Sequence, residues 1–507
     1  MILRRSLVSI AICSVLVAPH ADARVKEEDT IKSLEEKTVE VRPGNLALDS
    51  SSAARESYRD FLDLVSGDPE LRAEAMRRLG DLELEAVEAE QLTENVDALD
   101  VSGFDNAVEL YQTLLESYPD YRRNDTVLYQ LARAYEVGGK TDEALVVLNE
   151  LVATYPDTQI KDEVQFRRGE MLFLRKNYNA AEMAYEHVVH TGESSRFYQQ
   201  ALYKRGWAQF KLGWYEESHQ SFFELLDRKL DGVEIGEGEE RLASMSRAER
   251  ELVEDTFRVL SISFSYLDGP RSIDKIMSGR VEPEYAYVIY SNLGDLYLEK
   301  ERFQDAALTY EAFVEKDPYH PMAPAMQVQV IEAYKNGGFP SLVLDGKKSF
   351  VDRYRMDGPF WERNPREQNE AAVGHLKVNL TDLAQYYHAE AQRDGKKSDY
   401  REAADLYRKY MAYFPGEADT ANTNFLLAEI LFESEDFAAA TAEYERTSYA
   451  YPFHEKSAEA GYAAILSYRE HEAALPPGAR DEWHQAYLDS GLKFADTYPC
   501  LLYTSPS

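Results

Sequence analysis

Residues 290–318 read Tyr290-Ser-Asn-Leu293-Gly294-Asp-Leu-Tyr297-Leu-Glu-Lys-Glu-Arg-Phe-Gln-Asp-Ala306-Ala-Leu-Thr-Tyr310-Glu-Ala-Phe313-Val-Glu-Lys-Asp-Pro318. Two small residues, Gly294 and Ala306, stand twelve apart, and the bulky Tyr310 follows four later. Apolar residues at helical spacing surround each small one. Two helices that carry small residues at the same level can approach closely, and a large ring four residues on fills the space beside the contact. Proline then ends the second helix, because it lacks an amide proton and its ring clashes with the preceding turn. The stretch therefore predicts an antiparallel helical hairpin.

The same spacing recurs along the chain. It is found at Ala132, Ala144 and Leu148; at Gly169, Ala181 and Tyr185; at Gly206, Ser218 and Phe222; and at Ala428, Ala440 and Tyr444. Proline follows eight residues after the large one at Pro119, Pro156, Pro318, Pro415 and Pro452. Ala107, Ala144, Ala181 and Ser218 are 37 residues apart, as are Ala403 and Ala440. A fixed period of this length marks a stack of supersecondary units, each of which buries its apolar face only against its neighbours.

These residues resemble the tetratricopeptide repeat, and Tyr290 to Pro318 fills every main position of that pattern. The resemblance runs from about residue 50 to 499 and implies an all-α solenoid of helical hairpins wound as a right-handed superhelix. The long period and the Tyr-Pro or Phe-Pro unit ends make it similar to the envelope type, the BamD-like and TolA-binding periplasmic proteins. Residues 81–106 and 388–402 stretch their hairpins, and residues 335–376 match poorly. Asp231 to Glu240 holds five acids, three glycines and no base, which reads as an exposed loop. An apolar helix over Leu252–Leu267 and a Gly-Pro stop follow it. The expected organisation is a 50–230 array, a 231–283 acidic loop with an adaptor helix, and a 284–499 array.

The ends read differently. Arg4 and Arg5, the apolar run Leu7–Val17 and the small-residue site ending at Ala23 have the plan of a secretory signal peptide, with cleavage after Ala23. Cys13 follows Ile12 rather than a small residue, so lipidation is not expected. Residues 24–49 have no periodic apolar face and read as a flexible leader. Residues 500–507 depart from the composition before them and read as a non-native tail, with the natural chain continuing differently after Pro499. The expected location is the periplasm or the periplasmic face of the outer membrane.

The chain of 507 residues carries 91 acids against 56 bases, a net charge of -35. Such a surface repels phosphate backbones and anionic lipid, so neither nucleic acid nor membrane surface is an expected partner. No later stretch approaches the length of a membrane span. Of the two cysteines, Cys13 leaves with the signal peptide, so no internal disulfide is expected.

Chemistry is sought without success. His471-Glu-Ala-Ala-Leu475 lacks the second histidine of a zinc-protease helix. Gly346-Lys-Lys-Ser349 and Gly395-Lys-Lys-Ser398 end like phosphate loops but lack the earlier glycine. No catalytic residue, cofactor, metal or small-molecule substrate is expected, and the chain does not read as an enzyme. The alternative is a regulatory or targeting part of a larger envelope enzyme whose catalytic domain lies beyond this chain.

The resemblance places partner binding on the face lined by the first helix of each unit. The residues it implies there are Tyr129 and Arg133; Phe166, Glu170 and Phe173; Tyr203, Trp207 and Phe210; and Phe425, Glu429 and Phe432. The implied function is an interaction scaffold or adaptor that holds segments of other envelope proteins, in outer-membrane or cell-envelope assembly.

Overall fold

The computed structural model describes residues 45–65, 67–92, 102–230 and 244–499. The signal peptide, the acidic loop Asp231–Glu240 and the tail 500–507 lie outside these residues, as does the leader up to residue 44. The described residues are helical, with no strand among them. They divide into two compact units, up to Thr158 and from Gln159.

The first unit holds α1 (Asn45–Leu64), α2 (Pro69–Leu92), α3 (Ser102–Ser117), α4 (Asn124–Val137) and α5 (Thr141–Thr154). The pairs α2/α3 and α4/α5 are antiparallel hairpins. A Cβ added at Gly80 of α2 would lie 2.7 Å from the Tyr111 ring on α3, so the first hairpin meets at the same small-against-large contact despite its longer link.

The second unit contains α6 (Lys161–Leu174), α7 (Tyr178–Thr191), α8 (Tyr198–Leu212), α9 (Tyr215–Leu230), α10 (Arg247–Tyr266) and α11 (Pro270–Met277). It continues through α12 (Ala286–Glu299), α13 (Phe303–Lys316), α14 (Ala323–Asn336), α15 (Pro340–Arg353) and the short α16 (Phe360–Arg363). Last come α17 (Glu370–Asp394), α18 (Lys397–Tyr413), α19 (Thr420–Glu433), α20 (Phe437–Tyr449), α21 (Ser457–Ala474) and α22 (Arg480–Thr497). One hydrophobic core runs from Phe222 of α9 through α10 and α11 to Ala464 of α21.

The contact that founds each hairpin is steric. A Cβ at Gly294 would stand 2.4 Å from the Tyr310 ring, and at Gly169 it would stand 2.6 Å from Tyr185. The three-residue turns are also uniform. Each places its middle residue in left-handed conformation, as at Gly139, Lys176, Glu301, Gly338 and Glu435. The next amide then reaches back five residues, as when Arg302 donates to the Tyr297 carbonyl at 2.8 Å. This is the Schellman closure of a helix end, held here even where the middle residue carries a side chain.

Three sequence readings change. Residues 335–353 are not an irregularity but the end of α14 and all of α15, a full hairpin with its pattern inverted. Ile331 of α14 is the large partner, and Gly346 of α15 is the small one, 3.0 Å from Ile331 by its virtual Cβ. The Gly269-Pro270 pair does not merely stop a helix; Pro270 starts α11 at a position where its missing amide proton costs nothing. Nor is the α17/α18 hairpin stretched at its turn. Gly395 is left-handed at φ 66, Lys397 already begins α18, and Ala391, Ala403 and Tyr407 keep the usual spacing. The extra length of α17 lies at its beginning.

Candidate functional site

The eleven candidate residues occupy three rows, counted from the small residue of each first helix. Three positions before it stand Tyr129, Phe166, Tyr203 and Phe425. Tyr129 and Phe425 are 7% and 4% exposed, so both belong to the packed interior rather than to a partner surface. The Phe425 ring lies 5.8 Å from Tyr444, under the Lys456 side chain. Phe166 is half-buried, stacked on Phe197 at 5.1 Å. Tyr203 donates to Asp255 of α10 at 2.5 Å. This row points at the joint with the following element, which is why it is covered.

Directly after the small residue come Arg133, Glu170, Trp207 and Glu429. Here the structure brings together residues that the sequence reading did not connect. The Tyr185 hydroxyl donates to Glu170 at 2.5 Å, Tyr310 to Asp295 at 2.6 Å, Tyr444 to Glu429 at 2.6 Å and Tyr111 to Asp81 at 2.9 Å. A buried phenol needs an acceptor, and a carboxylate one residue past the close contact provides it. Burial, followed by the adjacent carboxylate, pushes all four phenol pKa values up. Where the large residue has no hydroxyl, the acid is gone: Leu148 goes with Arg133 and Phe222 with Trp207. In α17 the corresponding residue is Gln392, and the Tyr407 hydroxyl turns instead to His388 Nδ1 at 3.2 Å. Glu170 and Glu429 are therefore fixtures of their hairpins. Glu170 also receives Lys204 Nζ of α8 at 2.8 Å, and Arg133 in the first unit pairs with Glu88.

Four residues past the small one, Phe173, Phe210 and Phe432 each meet the ring that opens the second helix. The pairs are Phe173 with Tyr178 at 5.2 Å, Phe210 with Tyr215 at 5.7 Å and Phe432 with Phe437 at 5.2 Å. These edge and tilted contacts seal the hairpin turns.

A group of partly exposed aromatic residues meets on α8 and α10. Trp207 is half-buried, its Nε1 donating to Asp255 at 3.2 Å and its ring edge-on to Phe210 at 5.5 Å. Lys211 Nζ lies 5.4 Å from the Trp207 ring and 5.8 Å from Phe210, and it has no carboxylate partner among the described residues. Arg258 covers the same indole at 5.8 Å while bonding Asp255 at 2.8 Å through Nε. Tyr266, 60% exposed, stacks on Phe210 at 6.2 Å. The result is an aromatic shelf with two cations on it, on a chain otherwise dominated by acids. The sequence reading found Trp207 and Phe210 on α8 but not their neighbour Lys211, and it missed Arg258 and Tyr266 because α10 shows no match to the repeat.

The Gly346-Lys-Lys-Ser349 sequence lies inside α15, with Gly346 packed on Ile331 and Lys347 paired with Asp382. Its amides are used within the helix. Among the described residues no helix is long and apolar enough to cross a membrane.

By sequence, residues 98–162 match the family model described as tetratricopeptide repeat. No curated protein is matched. Similar solved structures include a tetratricopeptide repeat protein from Parabacteroides merdae, 16% identical over 59% of this chain and 99% of that one, with a TM-score of 0.26. The C-terminal part of a repeat protein from Cytophaga hutchinsonii is 14% identical over 58% and 98%, with a TM-score of 0.24. Yeast Tom70 is 14% identical over 86% and 96%, with a TM-score of 0.22. Residues 98–162 are thus similar to the tetratricopeptide repeat, and the same hairpin contact is repeated in both units of an array that is all-helical among the described residues.

Proposed function

We propose that this chain is an interaction scaffold of the cell envelope that holds a segment of another protein on the face of α8 and α10. The observation that carries the reading is the shelf of Trp207, Phe210 and Tyr266 with Lys211 unpaired among them. Partly exposed tryptophan and tyrosine beside a cation form the kind of surface on which binding energy concentrates. Phe173, with Lys204 of α8 over its ring, borders this surface, whereas Phe166, Phe432, Tyr129 and Phe425 pack elsewhere and are left out of it.

Trp207→Ala is the decisive variant. It should weaken capture of the partner from envelope extract by roughly 2 kcal/mol or more, while costing no more than about 2 kcal/mol of stability. Affinity per folded molecule that stays unchanged would move the binding surface elsewhere.

The envelope assignment rests on the plan of residues 1–23. Amino-terminal sequencing of the protein from an envelope fraction is expected to begin at Arg24. Retention of residues 1–23 would defeat export.

A further inference from the structure

The join between α15 and α17 is longer than the one between α13 and α14. Six residues connect α13 to α14, whereas residues 354–369 separate α15 from α17. This insertion is a packed wedge. Tyr354 and Phe360 are fully buried with ring centroids 5.1 Å apart, and Asn364 donates to the Tyr319 carbonyl at 2.9 Å. It sits where α15 ends and antiparallel α17 begins, and it keeps α17 from closing on the first half of α15.

A cleft of about 340 Å³ opens there, at the opposite end from the wedge. Its walls are Phe339, Pro340, Val343 and Leu344 on one side and Leu383 and Tyr386 on the other. Leu383 is buried as the floor, whereas Pro340 and Tyr386 are exposed at the mouth. The polar groups are few: Lys347 pairs with Asp382 across the cleft, and Lys335 stands at the rim. Lys335 bonds only Glu332, three residues back on its own helix, an exposed pair of the kind that exchanges readily. Two lysines against one aspartate leave the lining with net positive charge on a protein of net charge -35. Beyond about a Debye length the acidic surface is screened, so the local sign decides.

We propose that this cleft is an anchor site, separate from the Trp207 shelf, for one bulky apolar side chain of a partner segment that carries a carboxylate beside it. The volume is at the low end for a ligand pocket and suits one ring or branched side chain. The apolar walls desolvate that side chain, and Lys335 meets the neighbouring carboxylate.

The test uses the full chain and two fluorescein-labelled eight-residue peptides, one with Asp-Phe-Asp at its centre and one with Asp-Ala-Asp, followed by fluorescence polarisation. The phenylalanine peptide is expected to bind about tenfold more tightly or better. Val343→Trp, which fills the cleft from its partly exposed wall, should abolish that difference. Tyr386→Asp, at the exposed mouth, should do the same and serves if the tryptophan variant fails to fold. Lys335→Glu should weaken binding several-fold at ~50 mM salt and much less at ~300 mM. Trp207→Ala should leave the peptide affinity unchanged, which separates this site from the shelf. Equal binding of the two peptides, no binding at millimolar concentration, or full binding by both cleft variants would overturn the proposal.

Discussion

Tyr310→Ala is expected to cost about 3–5 kcal/mol of unfolding free energy, among the largest single-site losses in the molecule. The ring is fully buried and occupies the space that Gly294 leaves open. Removing it creates a cavity between α12 and α13 that backbone atoms cannot close, because the helix axes are already held by Ala306 and its neighbours. Tyr310→Phe separates the two parts of this cost. It keeps the ring and deletes only the 2.6 Å hydrogen bond to Asp295, so the expected loss is roughly 1.5–3 kcal/mol, as for a hydrogen bond to a charged group. In a cycle with Asp295→Asn, the coupling should be absent from the pair carrying phenylalanine. Repeat arrays lose cooperativity between neighbouring units, so urea unfolding should be followed by a probe within α12 and α13 as well as by total helicity. A neutral Tyr310→Phe would show that the phenol and carboxylate merely coexist, and the same conclusion would extend to Tyr185 with Glu170 and Tyr444 with Glu429.

That contact also marks the border of what was readable in the residues. The spacing of Gly294, Ala306 and Tyr310 predicts a hairpin because all its determinants sit within one unit, and the helices form there. The α14/α15 hairpin has the same geometry but was not readable as a repeat. Close approach needs one small and one large partner, and it does not matter which helix supplies which; with Ile331 opposite Gly346, a search for the usual order finds nothing. The tyrosine and acid pairs were present as a constant separation of fifteen residues at Glu170 and Tyr185, Asp295 and Tyr310, and Glu429 and Tyr444. Their meaning emerges only once the second helix folds back and brings the hydroxyl to the carboxylate. The rings of the candidate face were harder still. Whether Phe425, Phe173 or Trp207 faces a partner depends on what covers it, and the covering groups belong to other segments: Lys456, Tyr178 and the α10 residues Asp255 and Arg258. Sequence spacing within one helix carries no information about those.

Acidification should loosen the α9/α10 contact, and His219 is the reason. Its side chain is fully buried, with Nε2 2.7 Å from Ser263 Oγ and the ring stacked on Phe264 at 4.2 Å. Among the described residues Nδ1 has no hydrogen-bond partner, and the charge of Glu216 only partly opposes the effect of burial. Burial therefore dominates and pushes the imidazole down from 6.5 to about 4. Because the folded value lies below the unfolded one, the unfolded chain takes up its proton first as pH falls. Stability is fully present above about pH 6.5 and is lost progressively as pH drops toward 4, below which the loss levels off. The shift is worth about 3 kcal/mol in total, of which roughly 2 should be gone between pH 7 and pH 5. Burial also holds the His320 and His375 imidazoles down, so the share of His219 is isolated by comparing a variant with the natural chain. In His219→Gln, which is neutral at every pH, the difference in urea midpoint between pH 7 and pH 5 should shrink by most of that amount, even if the variant is less stable at both. An undiminished difference would assign the acid sensitivity to other groups and would mean that the α9/α10 contact admits water or a counter-charge to the imidazole on protonation.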